Sequence, residues 1–163
     1  MRKITAQKLS HEAFAPFGQY TSISGPRGLA LTGDLHSFYP DRLVGYCGKN
    51  IGFSPIVVKK PSRYLISQVE CHTTTWEIIM PISGDMLLHV SPKSGLQPKT
   101  ELTQAFIIPQ NTMVRIDAAV WHLAPLPVED DTLYALIVLP ECTYANDCHV
   151  VDLAEYDQFE IVL

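Results

Sequence analysis

From Gly52 to Leu139 the chain runs in short apolar stretches of about five to eight residues, each stopped by turn residues. They cover 56–60, 64–72, 76–80, 86–90, 101–108, 112–116 and 133–139. Stretches of this length match strands, and no helix-length 3.6-residue pattern separates them, so a parallel sheet with helical crossovers is disfavoured. Seven strands at this spacing predict an all-β sandwich or barrel. Ser83-Gly84-Asp85 reads as a tight hairpin turn between two of them. The segment 10–18 predicts one brief helix, with Ser10 as N-cap, Glu12 in the first turn and Gly18 as terminator. Between Thr21 and Asn50, Gly-Pro, Gly-Asp and Tyr-Pro-Asp combinations break every periodic run, so loops and short strands are expected.

Composition narrows the partners. The net charge of -5 argues against nucleic acid, whose phosphates need a cationic footprint. The longest purely apolar stretch, 135–139, is far short of the roughly 20 residues that cross a bilayer, so no membrane span is expected. Thr5, Gln7 and Lys8 interrupt any apolar run after Met1-Arg2-Lys3, which speaks against a secretory signal and for the cytoplasm. Cys47, Cys71, Cys142 and Cys148 contain no CxxC pair and read as reduced structural thiols.

Chemistry gathers around one strand. In Gln68-Val69-Glu70-Cys71-His72, alternation puts Glu70 and His72 on one face and Val69 and Cys71 on the other. Glu77 follows five residues after His72, and Gly84 seven after that. This His-x4-Glu-x6-Gly spacing resembles the first motif of the cupin superfamily, with Glu70 where cupins usually carry their first histidine. The stretch from Ile116 to His122 resembles the second motif, with Ala119 where glycine is commoner. The resemblance implies a cupin double-stranded β-helix, or jelly-roll barrel, in which Glu70, His72, Glu77 and His122 converge at the mouth. Two imidazoles and two carboxylates suit a divalent transition metal such as Mn, Fe, Ni or Zn. The chain then divides into an N-terminal helix and loop-rich segment (1–55), a barrel core (56–140) and a C-terminal tail (141–163), all in one domain.

At a finer level the chain resembles the ureidoglycolate lyase family of cupin enzymes. Leu9-Ser-His-Glu-Ala-Phe-Ala-Pro-Phe-Gly18, Glu70-Cys-His72, Ile79-Met-Pro-Ile-Ser-Gly84, Val120-Trp-His122 and Asp147-Cys148 carry the likeness in order. The chain departs from the family where an arginine is replaced by Cys71, where a glutamine becomes Glu77, and where two family site histidines are missing around Arg115-Ile-Asp117 and Leu123. The resemblance implies elimination of urea from ureidoglycolate to give glyoxylate, a step of purine (allantoin) catabolism, and a homodimer. His72, Glu77 and His122 are its candidate acid–base groups, with Glu70, His72, Glu77 and His122 as candidate metal ligands. Arg115, Asp117 and Lys59 are candidates for holding the substrate's carboxylate, although Arg115 and Asp117 equally suit an internal ion pair. A metal-dependent isomerase or oxygenase, and a non-catalytic cupin that binds a small ligand, stand as alternatives. His89 reads as structural, Trp76 and Trp121 as core or rim, and the acidic tail with Tyr156 and Phe159 as a docking segment at a dimer interface.

Overall fold

Alternation along the strands decides what faces inward in the structure, a computed structural model that describes residues 1–163. In Glu77–Pro81 and Thr112–Ile116 every second residue is buried. They sit in the middle of a five-stranded antiparallel sheet ordered Gly18–Ser22, Thr112–Ile116, Glu77–Pro81, Thr132–Pro140 and Ile51–Lys59. A second sheet, ordered Leu126–Pro127, Met86–Val90, Gln104–Ile108 and Gln7–Lys8, faces it. Ile79, Val114 and Ile116 from the first sheet meet Met86, Leu88, Phe106 and Ile108 from the second, with Phe14 and Phe17 closing the same core.

Met86–Val90 is buried at every position, because its outer face is covered as well. Leu87, Ala105, Trp121 and Phe159 form a second core behind the sheet. A small sheet of Arg2–Thr5, Phe159–Val162 and Leu65–Ile66 accompanies it, so the N- and C-terminal strands pair with each other. Each large side chain sealed there adds about 1.5–3 kcal/mol. The chain is all-β with two short helices, and its sheets pack face to face as a sandwich without closing into a continuous barrel.

Several local expectations change. The turn at Ser83-Gly84-Asp85 closes no hairpin, because Glu77–Pro81 and Met86–Val90 belong to different sheets. It carries the chain across the sandwich, with Gly84 at φ +63 and so close to Asp130 that a Cβ would lie 2.2 Å from its carboxylate. The helix spans only His11–Phe14, with Ser10 accepting from the Ala13 amide at 3.2 Å. Gly18 does not end it but opens the edge strand, where a Cβ would lie 1.8 Å from the Arg115 carbonyl. The start of 101–108 is a 3-10 turn, Thr100–Leu102, and a second helix spans Thr143–Asn146. The tail does not present Phe159 to a partner, since that ring is fully buried in its own chain, beneath the Arg2 guanidinium. No helix is long and apolar enough to cross a membrane.

Candidate functional site

Three pieces of chain meet at one end of the sandwich. Glu70 lies in Gln68–Cys71 and bridges to His122, its amide 2.7 Å from the His122 carbonyl and its carbonyl 2.8 Å from the His122 amide. Val69 and Cys71 go into the second core, so Glu70 and His72 turn the other way. Glu77 opens its strand opposite Ile116, a core residue, and therefore points inward. Ala119, standing where the motif favours glycine, has φ +65, and its amide donates to the His72 carbonyl at 2.6 Å. That turn fastens the second motif onto the first.

The hydrogen-bonding pattern assigns the protons. His72 Nε2 lies 3.1 Å, and His122 Nε2 3.0 Å, from one oxygen, Glu77 Oε2. His72 Nδ1 is 2.8 Å from the Asp147 carbonyl, and His122 Nδ1 is 2.9 Å from the Val120 carbonyl. A carbonyl only accepts, so both Nδ1 atoms carry hydrogen. Each Nε2 then either donates to Glu77 as part of an imidazolium or offers its lone pair to a cation. His72, Glu77 and His122 are 4%, 6% and 2% exposed. Burial pushes the Glu77 carboxyl up, but hydrogen bonds from His122 and His72 and their positive charge outweigh it and hold it low, at about 2. Burial also disfavours charge on His122, and the Glu77 hydrogen bond outweighs that in turn, so its pKa is raised.

One ligand atom each from Glu70, His72 and His122 lie within 4.8 Å of one another. With Nδ1 of both rings already engaged, their free valences point inward beside a carboxylate. This donor set fits a borderline divalent metal such as Mn, Fe, Ni or Zn.

Asp147-Cys148 is a matching stretch in the sequence, but the contacts of both residues with the cluster are not readable there. Asp147 accepts from the amide and hydroxyl of Thr73 at 2.9 and 2.7 Å, and from those of Thr74 at the same two distances. The Thr75 hydroxyl joins at 3.2 Å. These donors hold the Asp147 carboxyl far below the usual carboxylate range despite burial. Three successive threonines with no nearby acceptor are the only local signal of it. Cys148 donates its thiol to Glu70 Oε2 at 3.2 Å, and all four cysteines are free.

The three proposed carboxylate holders are not brought to this cluster. Arg115 neighbours Ile116, which shares the inward face with Glu77, so Arg115 lies on the outer face. There its guanidinium donates to Asp117 at 2.9 Å and to the Val44 carbonyl, and Lys93 reaches Asp117 at 3.7 Å. This is the internal ion pair that the spacing also allowed. Lys59 pairs with Thr132 on the edge strand, whereas Gly52 of that strand pairs with Leu139, next to the residue opposite Ile78. Seven residues of strand, roughly 20 Å, separate Lys59 from the level of Glu77. Trp121 is buried core, and Trp76 donates to the Tyr46 carbonyl at 3.0 Å. His89 is buried among apolar residues. A surface cleft of about 300 Å³ is lined by His11, Tyr20, Arg27, Arg42 and Gln110 and touches none of the four clustered residues. In the cluster several buried titratable groups converge on one atom, which the surface cleft does not offer.

A family model described as ureidoglycolate lyase matches residues 1–160. The chain is 29% identical over 154 residues to a protein named ureidoglycolate lyase from Pseudomonas savastanoi pv. phaseolicola, covering 91% of this chain and 88% of that one. It is 28% identical over 156 residues, with the same coverage, to the protein of that name from Pseudomonas syringae pv. syringae. Among solved structures, Bacillus subtilis oxalate decarboxylase is similar over 64% of this chain and 24% of its own, at 20% identity and a TM-score of 0.46.

Proposed function

The chain belongs to the ureidoglycolate lyase family, and from that premise we propose that it is a carbon–nitrogen lyase that releases urea from ureidoglycolate, or from a close carbinolamide carboxylate, with Glu77 as its proton carrier. The observation that carries the reading is the meeting of His72 Nε2 and His122 Nε2 at one oxygen of Glu77. In a carbinolamide the hydroxyl and the departing nitrogen share one carbon. Glu77 Oε2 takes the hydroxyl proton, the oxygen's electron pair forms the carbonyl, and the carbon–nitrogen bond breaks. The same carboxyl then returns the proton to the departing nitrogen, so that glyoxylate and urea leave and Glu77 is ionised again. Without a cation, His72 and His122 donate from Nε2 to the carboxylate, orient it and keep it ionised; a cation on the same nitrogens would replace those hydrogen bonds. A divalent cation held by Glu70, His72 and His122 would supply a positive centre for the substrate's carboxylate and hydroxyl oxygens, a task for which Arg115 and Lys59 are poorly placed. A cytoplasmic, homodimeric enzyme acting on a small carboxylate accords with this reading.

The test is to purify the full chain without chelator, measure its metal content, and incubate it with ureidoglycolate with and without added Mn, Fe, Ni or Zn. Equimolar urea and glyoxylate are expected, with kcat/KM reduced about 10²–10⁴-fold in Glu77→Gln. His72→Ala should lose any stoichiometric metal. Absence of glyoxylate at every metal loading would overturn the proposal.

A further inference from the structure

The edge strand Gly18–Ser22 and the loop that leaves it border the cleft of about 300 Å³. Thr112, on the wall of the cleft, opens the strand whose last residue, Ile116, pairs with Glu77, so roughly 13 Å of strand separate this wall from the level of the cluster. The cleft reverses the charge balance of the chain. Carboxylates outnumber lysine and arginine by 17 to 12, yet Arg27, Arg42 and His11 line the cleft and no aspartate or glutamate does. The ion pairs of the chain's lysines and arginines run through Arg63, Lys93 and Arg115, and leave Arg27 and Arg42 without one.

Two of these three groups are held in place. Gly28 has φ +103, a conformation that other residues rarely adopt, and the Arg42 guanidinium packs against it. A Cβ there would lie 2.5 Å from Arg42 Nη1 and 3.0 Å from its Cζ, so the missing side chain makes room for this guanidinium beside the residue that follows Arg27. His11 stacks on Tyr20, with ring centres 4.2 Å apart and planes 11° apart, and Tyr20 meets the ring of Phe14 edge-on at 6.4 Å. The imidazole is thus fixed by a ring that is itself anchored on the first core.

Two guanidiniums that share a cleft without a counter-ion repel one another, a cost that a bound dianion removes. Their forked N–H donors match the oxygens of a phosphate group and can bond it two at a time. We infer that this cleft is a second binding site, for a small phosphate monoester, with Arg27 and Arg42 on the phosphate oxygens and His11 and the Ser24 hydroxyl as further donors. Room for an organic group favours the ester over free phosphate. The cleft has the volume of a small-molecule site, and a hollow of about 380 Å³ that shares His11, Tyr20 and Arg42 continues it towards Gln19. The site is separate from the cluster and does not depend on the chemistry proposed there.

Isothermal titration calorimetry of the full chain with glycerol 3-phosphate, inorganic phosphate and succinate tests it. The ester is expected to saturate a single site with a Kd of about 0.1–1 mM, and the other two anions to bind about 10-fold more weakly. Arg27→Ala and Arg42→Ala should each weaken the ester by about 10-fold or more. Both side chains are exposed, so the far-UV circular dichroism of each variant should match the wild type. Gly28→Ala removes no charge but displaces the Arg42 guanidinium, and should weaken the ester as well. His72→Ala should bind it as the wild type does, which separates this site from the cluster. No saturation by about 10 mM ester, an affinity indifferent to Arg42→Ala or Gly28→Ala, succinate or free phosphate binding as tightly as the ester, or loss of binding in His72→Ala would each overturn the inference.

Discussion

His72 and His122 present their Nε2 atoms to the same oxygen of Glu77, at 3.1 and 3.0 Å, while a backbone carbonyl holds the opposite nitrogen of each ring. The arrangement is stable only with a positive charge at its centre, on the imidazoles or between them, because a carboxylate facing two bare lone pairs in a buried site has no partner. The same demand makes the site selective. Fixed Nδ1 hydrogens hold both rings in one orientation, so a cation finds its ligands already aimed.

The charge balance sets a pH signature. Glu77, held below its ordinary value of 4.5, contributes stability that is present above that value and lost as pH falls towards about 2. His122, raised from 6.5, contributes stability that is complete below 6.5 and lost as pH rises through its folded value. Their interaction therefore stabilises most between about pH 4.5 and 6.5. Urea unfolding of wild type and Glu77→Gln should differ most near about pH 5–6, and the wild type's advantage should shrink as pH rises above 6.5. A difference that grows on the alkaline side would show that the rings carry no proton in the metal-free fold.

Asp147 holds the turn that presents His72. Asp147→Ala strips the partner from the Thr73 and Thr74 amides and hydroxyls, and should cost about 2–3 kcal/mol in urea unfolding. Because the Asp147 carbonyl also fixes His72 Nδ1, loosening this loop should weaken metal binding about 10–100-fold. Titration with Zn while unfolding is monitored reads both effects, and unchanged affinity would confine Asp147 to a folding role.

What the sequence makes legible here follows from local periodicity. Alternation in 68–72 puts Glu70 and His72 on one face, while the resemblance to the two cupin motifs is what adds Glu77 and His122 to them. Quantities that depend on register or crossing do not follow. Lys59 and Glu77 lie on strands of one sheet, and only the pairing of Ile51–Lys59 with Thr132–Pro140 shows them far apart along it. Ser83-Gly84-Asp85 has the composition of a hairpin turn, yet which sheet each flanking strand joins is a long-range choice. Asp147 is invisible to local reasoning because its donors lie more than seventy residues away in the chain.

The thiols divide by environment. Burial pushes the Cys71 thiol up to about 11, helped by the charges of Asp147 and Glu70. Burial and its hydrogen bond to Glu70 push Cys148 up to about 12. Cys142 is exposed and Cys47 half-buried. A disulfide-exchange reagent at about pH 8 should therefore modify Cys47 and Cys142 quickly in the native protein and reach Cys71 and Cys148 only on unfolding. Peptide mapping after a short pulse checks this; early labelling of Cys148 would mean that the Glu70 contact opens in solution.

His89 is the costliest polar residue of the second core. Its ring meets Phe159 edge-on at 5.6 Å, and neither ring nitrogen has a hydrogen-bond partner. Burial drives its pKa down to about 3, with the charge of His122 adding to the effect. The unfolded chain binds a proton here below about pH 6.5 while the folded chain does not, so this residue removes stability as pH falls from 6.5 towards 3. His89→Leu keeps the bulk and discards two unpaired polar atoms. It should stabilise the fold by about 1–2 kcal/mol at about pH 7, and by more at about pH 5, where the wild type is also held back by protonation of its unfolded state. Urea unfolding of both proteins at the two pH values measures this. Destabilisation at the higher pH would instead show that the packing of the imidazole in this core, edge-on to Phe159, is worth more than its two unpaired nitrogens cost.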